Sequence, residues 1–255
     1  NSRWADEEVI WQPPLDSYSP SSDSVAGGRI AFDPDGYVFL SVGYKSDDGI
    51  QDLASPHGKI HRLHDDGRVP ADNPFVDVPG ALPSIWSYGH RSPQGLEFDA
   101  RSGRLWGTEH GPRGGDELNL LLPGRNYGWP LFSNGQNYDG TLVNWDGRHG
   151  TEVSLEEVTQ PVVDFTPSVA VSAFVVYEGG AFAAWRGDLL VGSLKAADLI
   201  RFRIEDGQLR EREILIENLA RIRDVEVGST GELYLLLEHA SGGQVVRVRP
   251  AQAER

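Results

Sequence analysis

Short stretches recur along the 255-residue chain in which apolar and polar residues alternate, or apolar residues run briefly unbroken. Each stretch meets a Gly-containing turn, and a second such stretch follows. The clearest copies are 28–43 (GRIAFDPDGYVFLSVG), 95–111 (GLEFDARSGRLWGTEHG) and 223–239 (RDVEVGSTGELYLLLEH); 173–195 is a looser copy. A period of two sends successive side chains to opposite faces, so these runs predict strands. Asp35-Gly36, Ser102-Gly103, Asp206-Gly207 and Thr230-Gly231 predict the hairpin turns. Further strand-like segments follow each copy, at 58–69, 116–122, 199–213 and 243–250. No window of helical length shows a 3.6 period, and 153–158 is the best helical candidate. Four copies of a four-strand unit predict an all-β fold, a β-propeller of four-stranded antiparallel sheets around a central channel. A two-sheet sandwich built from the same hairpins is the alternative. The largest insertion spans 124–170, and long loops at one end of such a fold usually carry function.

Composition narrows the partners. Hydrophobic residues make up 39% of the chain, enough for a substantial core, and 30 glycines with 16 prolines suit many tight turns. A net charge of −15 argues against nucleic acid, which needs a basic footprint, and against a polybasic membrane anchor. No apolar run is long enough to span a bilayer. The absence of cysteine excludes disulfides and thiolate metal sites. There is no Met and no visible secretory signal, so the chain is expected to be mature or truncated.

The stretch from Tyr88 to Pro130 concentrates the candidate chemistry. Gly89-His90-Arg91 and Glu109-His110-Gly111-Pro112 each border a strand-like run, and Arg101-Ser102-Gly103 turns between those runs. A hairpin would carry both clusters to one end of a sheet. Further on, alternation places Arg221 and Arg223 on one face of an extended segment. Paired guanidiniums suit carboxylate recognition; on spacing alone they equally suit neutralisation of Asp224 and Glu226. Gly111-Pro112 offers carbonyl oxygens on a closely approachable backbone, which an ordinary loop also does.

Six strings run in order from about residue 25 to the C-terminus: GRIAFDPDGYVFLSVG, GKIHRLHDDGRVPADNPF, GHRSPQGLEFD, TEHGPRGGDELNLLLPGRNYGWP, GSLK and RIRDVEV. Together they resemble the soluble-type sugar dehydrogenases that depend on pyrroloquinoline quinone (PQQ), the glucose/sorbosone dehydrogenase family, and within it the aldose sugar dehydrogenases. The resemblance implies a six-bladed propeller, one domain over residues 1–255 with N-terminal blades missing. It implies an enzyme that uses PQQ and Ca²⁺ to oxidise aldose sugars to lactones, passes electrons to an external acceptor, and is periplasmic or secreted.

The same resemblance implies residue roles. Arg91 would touch the quinone oxygen near the substrate. Ser92, Ala170, Lys195, Arg221 and Arg223 would hold the cofactor, with Ser172 on the same lining loop. Ser92 stands where several relatives carry asparagine, and Val171 where proline is frequent. The carbonyls of Gly111 and Pro112 would seat Ca²⁺, while Glu117 and the Tyr127 carbonyl match a second, structural calcium position. His90 and His110 would be supporting groups. The family's general base is a histidine in a His-x-Gly-x-Arg pattern, and here Val25 occupies it, ahead of Gly27 and Arg29. The aspartate that orients this histidine follows the next Val-Gly, where this chain has Tyr44. Asp47 and Asp48 are the nearby carboxylates. Losing a general base costs about 10²–10⁴-fold. A second reading is therefore a catalytically impaired propeller serving as a ligand- or protein-binding module. A third, a lactonase-type hydrolase, lacks the convergent carboxylate and asparagine set it would need.

Overall fold

A computed structural model describes residues 7–17, 27–44, 49–144 and 153–251. Every element longer than three residues in it is a strand; the helical pieces are three 3₁₀ turns, at Leu15–Ser17, Leu155–Glu157 and Ala183–Trp185. Among the described residues no helix is long and apolar enough to cross a membrane.

The first sheet contains β1 (Ile30–Phe32), β2 (Tyr37–Val42), β3 (Lys59–His64) and β4 (Ile85–Tyr88), in that spatial order. The second begins with β5 (Pro93–Asp99), β6 (Arg104–Glu109) and β7 (Asp116–Leu120). The chain then leaves the sheet, forms a hairpin of β8 (Phe132–Gln136) and β9 (Leu142–Asn144), and returns as β10 (Val163–Phe165). The spatial order is β10-β7-β6-β5, so the end of the long insertion supplies the last strand of this sheet. The third sheet is β11 (Val171–Val176), β12 (Leu189–Ser193), β13 (Leu199–Glu205) and β14 (Gln208–Ile216); the fourth is β15 (Arg221–Val227), β16 (Leu233–His239) and β17 (Gly242–Val248). All pairings within these sheets are antiparallel.

The four repeated patterns are the four opening hairpins, β1–β2, β5–β6, β11–β12 and β15–β16. The opening strands neighbour one another: β5 packs on β1 and β11, and β11 packs on β15. This is the radial arrangement of a propeller rather than two facing sheets. Asp206 and Gly207 both take positive φ, 52° and 74°, which is the primed turn that matches strand twist. The segment 153–158 closes only one 3₁₀ turn, with the Ser154 amide donating to Glu157 at 2.8 Å. Six residues cannot repay helix nucleation.

The core lies in layers between sheets. Trp106, Leu118, Val163 and Phe165 of the second sheet meet Phe174, Val191, Ile200 and Phe202 of the third. Removing a ring such as Phe202, which is fully buried, would cost about 3–5 kcal/mol. The outermost strand β14 is mostly exposed and charged. Its Glu211 and Glu213 pair with buried Arg201, at 2.9 and 2.7 Å, which protects an edge that would otherwise invite strand addition.

Facing the centre, Glu97 on β5 lies near Asp224 and Glu226 of β15, with Arg29 the opposing cation. Arg29 donates to the Gln94 carbonyl at 2.7 Å and stands 3.9 Å from Asp224. Burial, then the two carboxylates, push Glu97 up to about 7. A raised carboxyl pKa means the folded state binds the proton more tightly than the unfolded one. Its stabilising contribution is complete below about 4.5 and disappears as pH rises through about 7. Glu97→Gln is therefore expected to melt about 2–4 °C above the parent at pH 8 and to flatten the stability profile between pH 4.5 and 7. Calorimetric melting across that range checks it, and parallel profiles for the two proteins would refute it.

Candidate functional site

The hairpin β5–β6 pairs Pro93 with Glu109, so the clusters around Arg91 and Gly111 emerge at the same sheet end. Arg91 is buried. Its Nη1 donates to the carbonyls of His110 and Gly111 at 3.1 and 2.9 Å, and Nη2 reaches the Tyr138 hydroxyl at 3.5 Å. The guanidinium also lies over the rings of Trp129 and Tyr44, 5.1 and 5.5 Å from their centroids. Its Nε has no hydrogen-bond partner among the described residues. Two carbonyl dipoles thus converge on one positive group inside an aromatic box. Gly111 is required there, because a Cβ would strike the carbonyls of Gly114 and Gly115. Ser92, fully buried, accepts from the Gln94 side-chain amide at 3.0 Å, and its carbonyl accepts from the His110 amide at 3.0 Å.

Asp116 joins this half of the site to the next. It is buried, and its Oδ1 accepts from the Gly111 amide at 3.2 Å. Its Oδ2 accepts from the Ser168 hydroxyl at 2.7 Å and the Val171 amide at 3.3 Å. His110 Nε2 donates to the Val171 carbonyl at 2.6 Å, which fixes its tautomer, and burial lowers its pKa. Ser172, on the same loop, donates to the Ile222 carbonyl at 2.6 Å.

The 168–171 loop is in turn stitched to the loop that carries Lys195. Ala170, at φ 52°, accepts from the Leu194 amide at 2.7 Å, and Val169 accepts from the Lys195 amide at 3.0 Å. Lys195 is exposed and forms no ion pair with a described residue. Arg221 Nη1 reaches the Leu194 carbonyl at 3.5 Å, which places it beside Lys195. Arg221 and Arg223 lie on one face of β15, as alternation predicts, with Ile222 buried between them. Both pair with Glu238 of β16, not with Asp224 or Glu226. Two arginines thus share a single carboxylate, and Lys195 beside them adds a third positive charge with no ion-pair partner among the described residues, leaving a local positive excess in an acidic chain.

A second cluster lies behind Arg91. Glu109 accepts from the Arg91 amide at 2.7 Å and from His90 Nδ1 at 3.0 Å, while His90 Nε2 accepts from Ser87 at 2.9 Å. This chain of Ser, His and carboxylate is too deeply buried to meet a substrate; Ser87 is 0% exposed. It braces Arg91. Asn119 Nδ2 bridges Glu109 and Glu117, at 3.0 and 2.9 Å, and its Oδ1 has no partner among the described residues. Burial and the Glu109 carboxylate push the Glu117 carboxyl well above its usual range. Glu117 and Tyr127 line one cavity of about 240 Å³ together with Ser133 and Gln160. The spot is rich in acceptors and poor in cations.

Of the sequence-predicted residues, Arg91, Ser92, Gly111 and Pro112 fall on one side, and Ala170, Lys195, Arg221 and Arg223 on the other. Tyr44 joins the first group: its amide donates to the Arg91 carbonyl at 3.0 Å and its ring packs on Trp129. Val25, Asp47 and Asp48 lie outside the described residues. Asp116, Trp129 and Tyr138 were not foreseen. Asp116 is an acid directly after Gly114-Gly115; two of its three partners, Ser168 and Val171, lie more than 50 residues on, and no local signal announces that.

The sequence pattern that defines the glucose/sorbosone dehydrogenase family matches residues 1–247. The aldose sugar dehydrogenase YliI of Escherichia coli (strain K12) is 42% identical over 226 residues, covering 88% of this chain and 60% of the relative. The chain thus spans about three-fifths of that relative's length. A solved glucose dehydrogenase superposes with a TM-score of 0.83 at 37% identity, covering 96% of this chain and 68% of the other. The PQQ-bound aldose sugar dehydrogenase from Streptomyces coelicolor superposes with a TM-score of 0.67 at 28% identity, covering 88% and 61%. On this evidence the chain belongs to the glucose/sorbosone dehydrogenase family.

Proposed function

We propose that this chain holds PQQ and Ca²⁺ for the oxidation of aldose sugars to lactones, with two electrons passed on to an external acceptor, in the periplasm or outside the cell. One observation carries the reading: Arg221 and Arg223 share the single carboxylate of Glu238, with Lys195 beside Arg221 and without an ion-pair partner among the described residues, next to a loop that Asp116 ties to Gly111. A planar tricarboxylate needs that positive excess, and guanidinium forks suit its carboxylates. The names of the relatives, an aldose sugar dehydrogenase and a PQQ-bound one, support the same class. The residues belong to part of a single six-bladed domain.

The donor sets suit the two groups. The His110 and Gly111 carbonyls already face a positive charge, the polarity a hard cation exploits. Pro112 adds a neighbouring carbonyl. Glu117, the Tyr127 carbonyl and the unpartnered Asn119 Oδ1 make a second oxygen-rich spot suited to Ca²⁺. When bound, PQQ would supply a two-electron acceptor and Ca²⁺ a Lewis acid. The chain's own part is binding and electrostatics. Lys195, Arg221 and Arg223 neutralise the carboxylates, with Ser92 and Ala170 lining the cradle. Arg91, held by two carbonyls, would offer a fixed positive charge to a bound quinone's oxygen. Tyr44 and Trp129 wall that charge off from water.

In the full-length protein, titration with PQQ in the presence of Ca²⁺ is expected to saturate, with a shift in quinone absorbance. Replacing both Arg221 and Arg223 with Ala should weaken binding by about 100-fold or more, since charge-assisted hydrogen bonds are lost. No saturable binding, or no effect of the double variant, would overturn the reading.

The position of Tyr44 favours a second reading, a propeller that retains the cofactor but turns over slowly. Tyr44 sets an aromatic ring against Arg91, where the family's carboxylate would orient the base, and Val25 cannot accept a proton. Val25→His combined with Tyr44→Asp should then raise aldose turnover by about 10²–10⁴-fold at unchanged quinone affinity. Rapid oxidation by the unmodified protein would dispose of this reading.

A further inference from the structure

Phe32 and Tyr138 are the exposed aromatic side chains among the described residues, and Tyr138 stands at the candidate site. It is 70% exposed, yet its hydroxyl sits 3.5 Å from Arg91 Nη2. The β8–β9 hairpin that carries it is firmly held. At the tip, the Asn137 amide donates to the Thr141 carbonyl at 2.8 Å, and Asn137 Nδ2 donates to Thr141 Oγ1 at 3.0 Å and to the Leu142 carbonyl at 3.2 Å. Asp139 Oδ1 accepts from the Thr141 amide and hydroxyl at 2.9 and 2.7 Å. At the base, the Gln136 amide donates to the Arg113 carbonyl at 3.1 Å, and Arg113 Nη1 reaches the Tyr138 carbonyl at 3.4 Å. A Cβ at Gly135 would strike the Gly114 carbonyl, so the hairpin lies tight on the loop that follows Gly111. An apolar ring is thus presented to solvent by a braced scaffold, beside a guanidinium whose Nη1 alone is committed to carbonyls.

We infer that Tyr138 forms a saccharide subsite, stacking on the C–H face of the sugar ring while Arg91 Nη2 and the Tyr138 hydroxyl take its hydroxyl groups. A pyranose has this two-sided character, with polarised C–H bonds on one face and hydroxyl groups at the rim. The aromatic face attracts the first, and the polar pair serves the second. A ring on a freely moving loop would cost backbone entropy on stacking; the hairpin that carries Tyr138 is already ordered by its own hydrogen bonds, so that cost is small. The subsite rests on the sugar dehydrogenase reading above, and Tyr138 is a specificity-determining residue within it.

The test uses the full-length protein loaded with PQQ and Ca²⁺ and a sugar that cannot react, 1,5-anhydroglucitol, which lacks the anomeric hydroxyl. Calorimetry gives its affinity, and quinone absorbance gives cofactor affinity in the same samples. Tyr138→Ala should weaken binding of the analogue about 5–10-fold and raise KM for aldoses by a similar factor. Tyr138→Phe, which keeps the ring, should lose no more than about 3-fold. Quinone affinity and melting temperature should match the parent in both variants, because the side chain is exposed. Unchanged affinity for the analogue in Tyr138→Ala, with the quinone bound, overturns the subsite while leaving the dehydrogenase reading standing. Equal losses in the Phe and Ala variants overturn the stacking. Failure of the parent protein to take up the quinone overturns the underlying reading and the subsite with it.

Discussion

The buried carboxylate of Asp116 is the interaction on which the candidate site depends. A desolvated carboxylate is stable only when its oxygens are satisfied, and here three donors come from two separate loops: Gly111 on one side, Ser168 and Val171 on the other. Those loops belong to neighbouring sheets. The tie therefore fixes the Arg91 half of the site relative to the Lys195 half. Removing the carboxylate would leave the buried Val171 amide without an acceptor, a penalty of about 1–3 kcal/mol, and the part-buried Gly111 amide to be satisfied by water. Rigid-body packing of the sheets, through layers such as Trp106 against Phe202, sets the coarse spacing. Asp116 sets the fine one.

Much of the fold could be read in the sequence, because it repeats. All four opening hairpins were visible from alternation and from the Gly-containing turns, and a strand exists in each segment that follows them. The strand β10 escaped notice because it is only three residues long and comes after a long excursion. Its pairing with β7 is chosen by tertiary contact, with Val163 opposite Leu118, and not by any local pattern. The segment 153–158 shows the opposite error: helical residues too few to sustain a helix.

The site was legible in proportion to how local its signals are. Arg221 and Arg223 sit on one face because alternation within a single strand dictates it. Which acid they would meet could not be read, since Glu238 lies on the neighbouring strand and its register is shifted by the irregularity between Ile222 and Asp224. Arg91 was identified, but the box of Trp129 and Tyr44 around it was not. Those rings come from segments whose proximity follows only from the packing of Ile50, Trp129 and Val143. Sequence reading finds chemical groups; here their partners are set by long-range registry.

The treatment of charge unites these features. In a chain of net charge −15, cations outnumber acids locally at this place, because Glu238 serves two arginines while Lys195 has no acid partner among the described residues. The reverse holds at Glu117. There a half-buried carboxyl lies beside the Glu109 carboxylate, with no Lys or Arg among its electrostatic neighbours, and desolvation followed by that carboxylate raises its pKa well above the usual range. Both places are electrostatically incomplete in the protein alone, and in opposite senses. The fold tolerates the imbalance because the two places lie on different sheets, so neither can relax by pairing with the other.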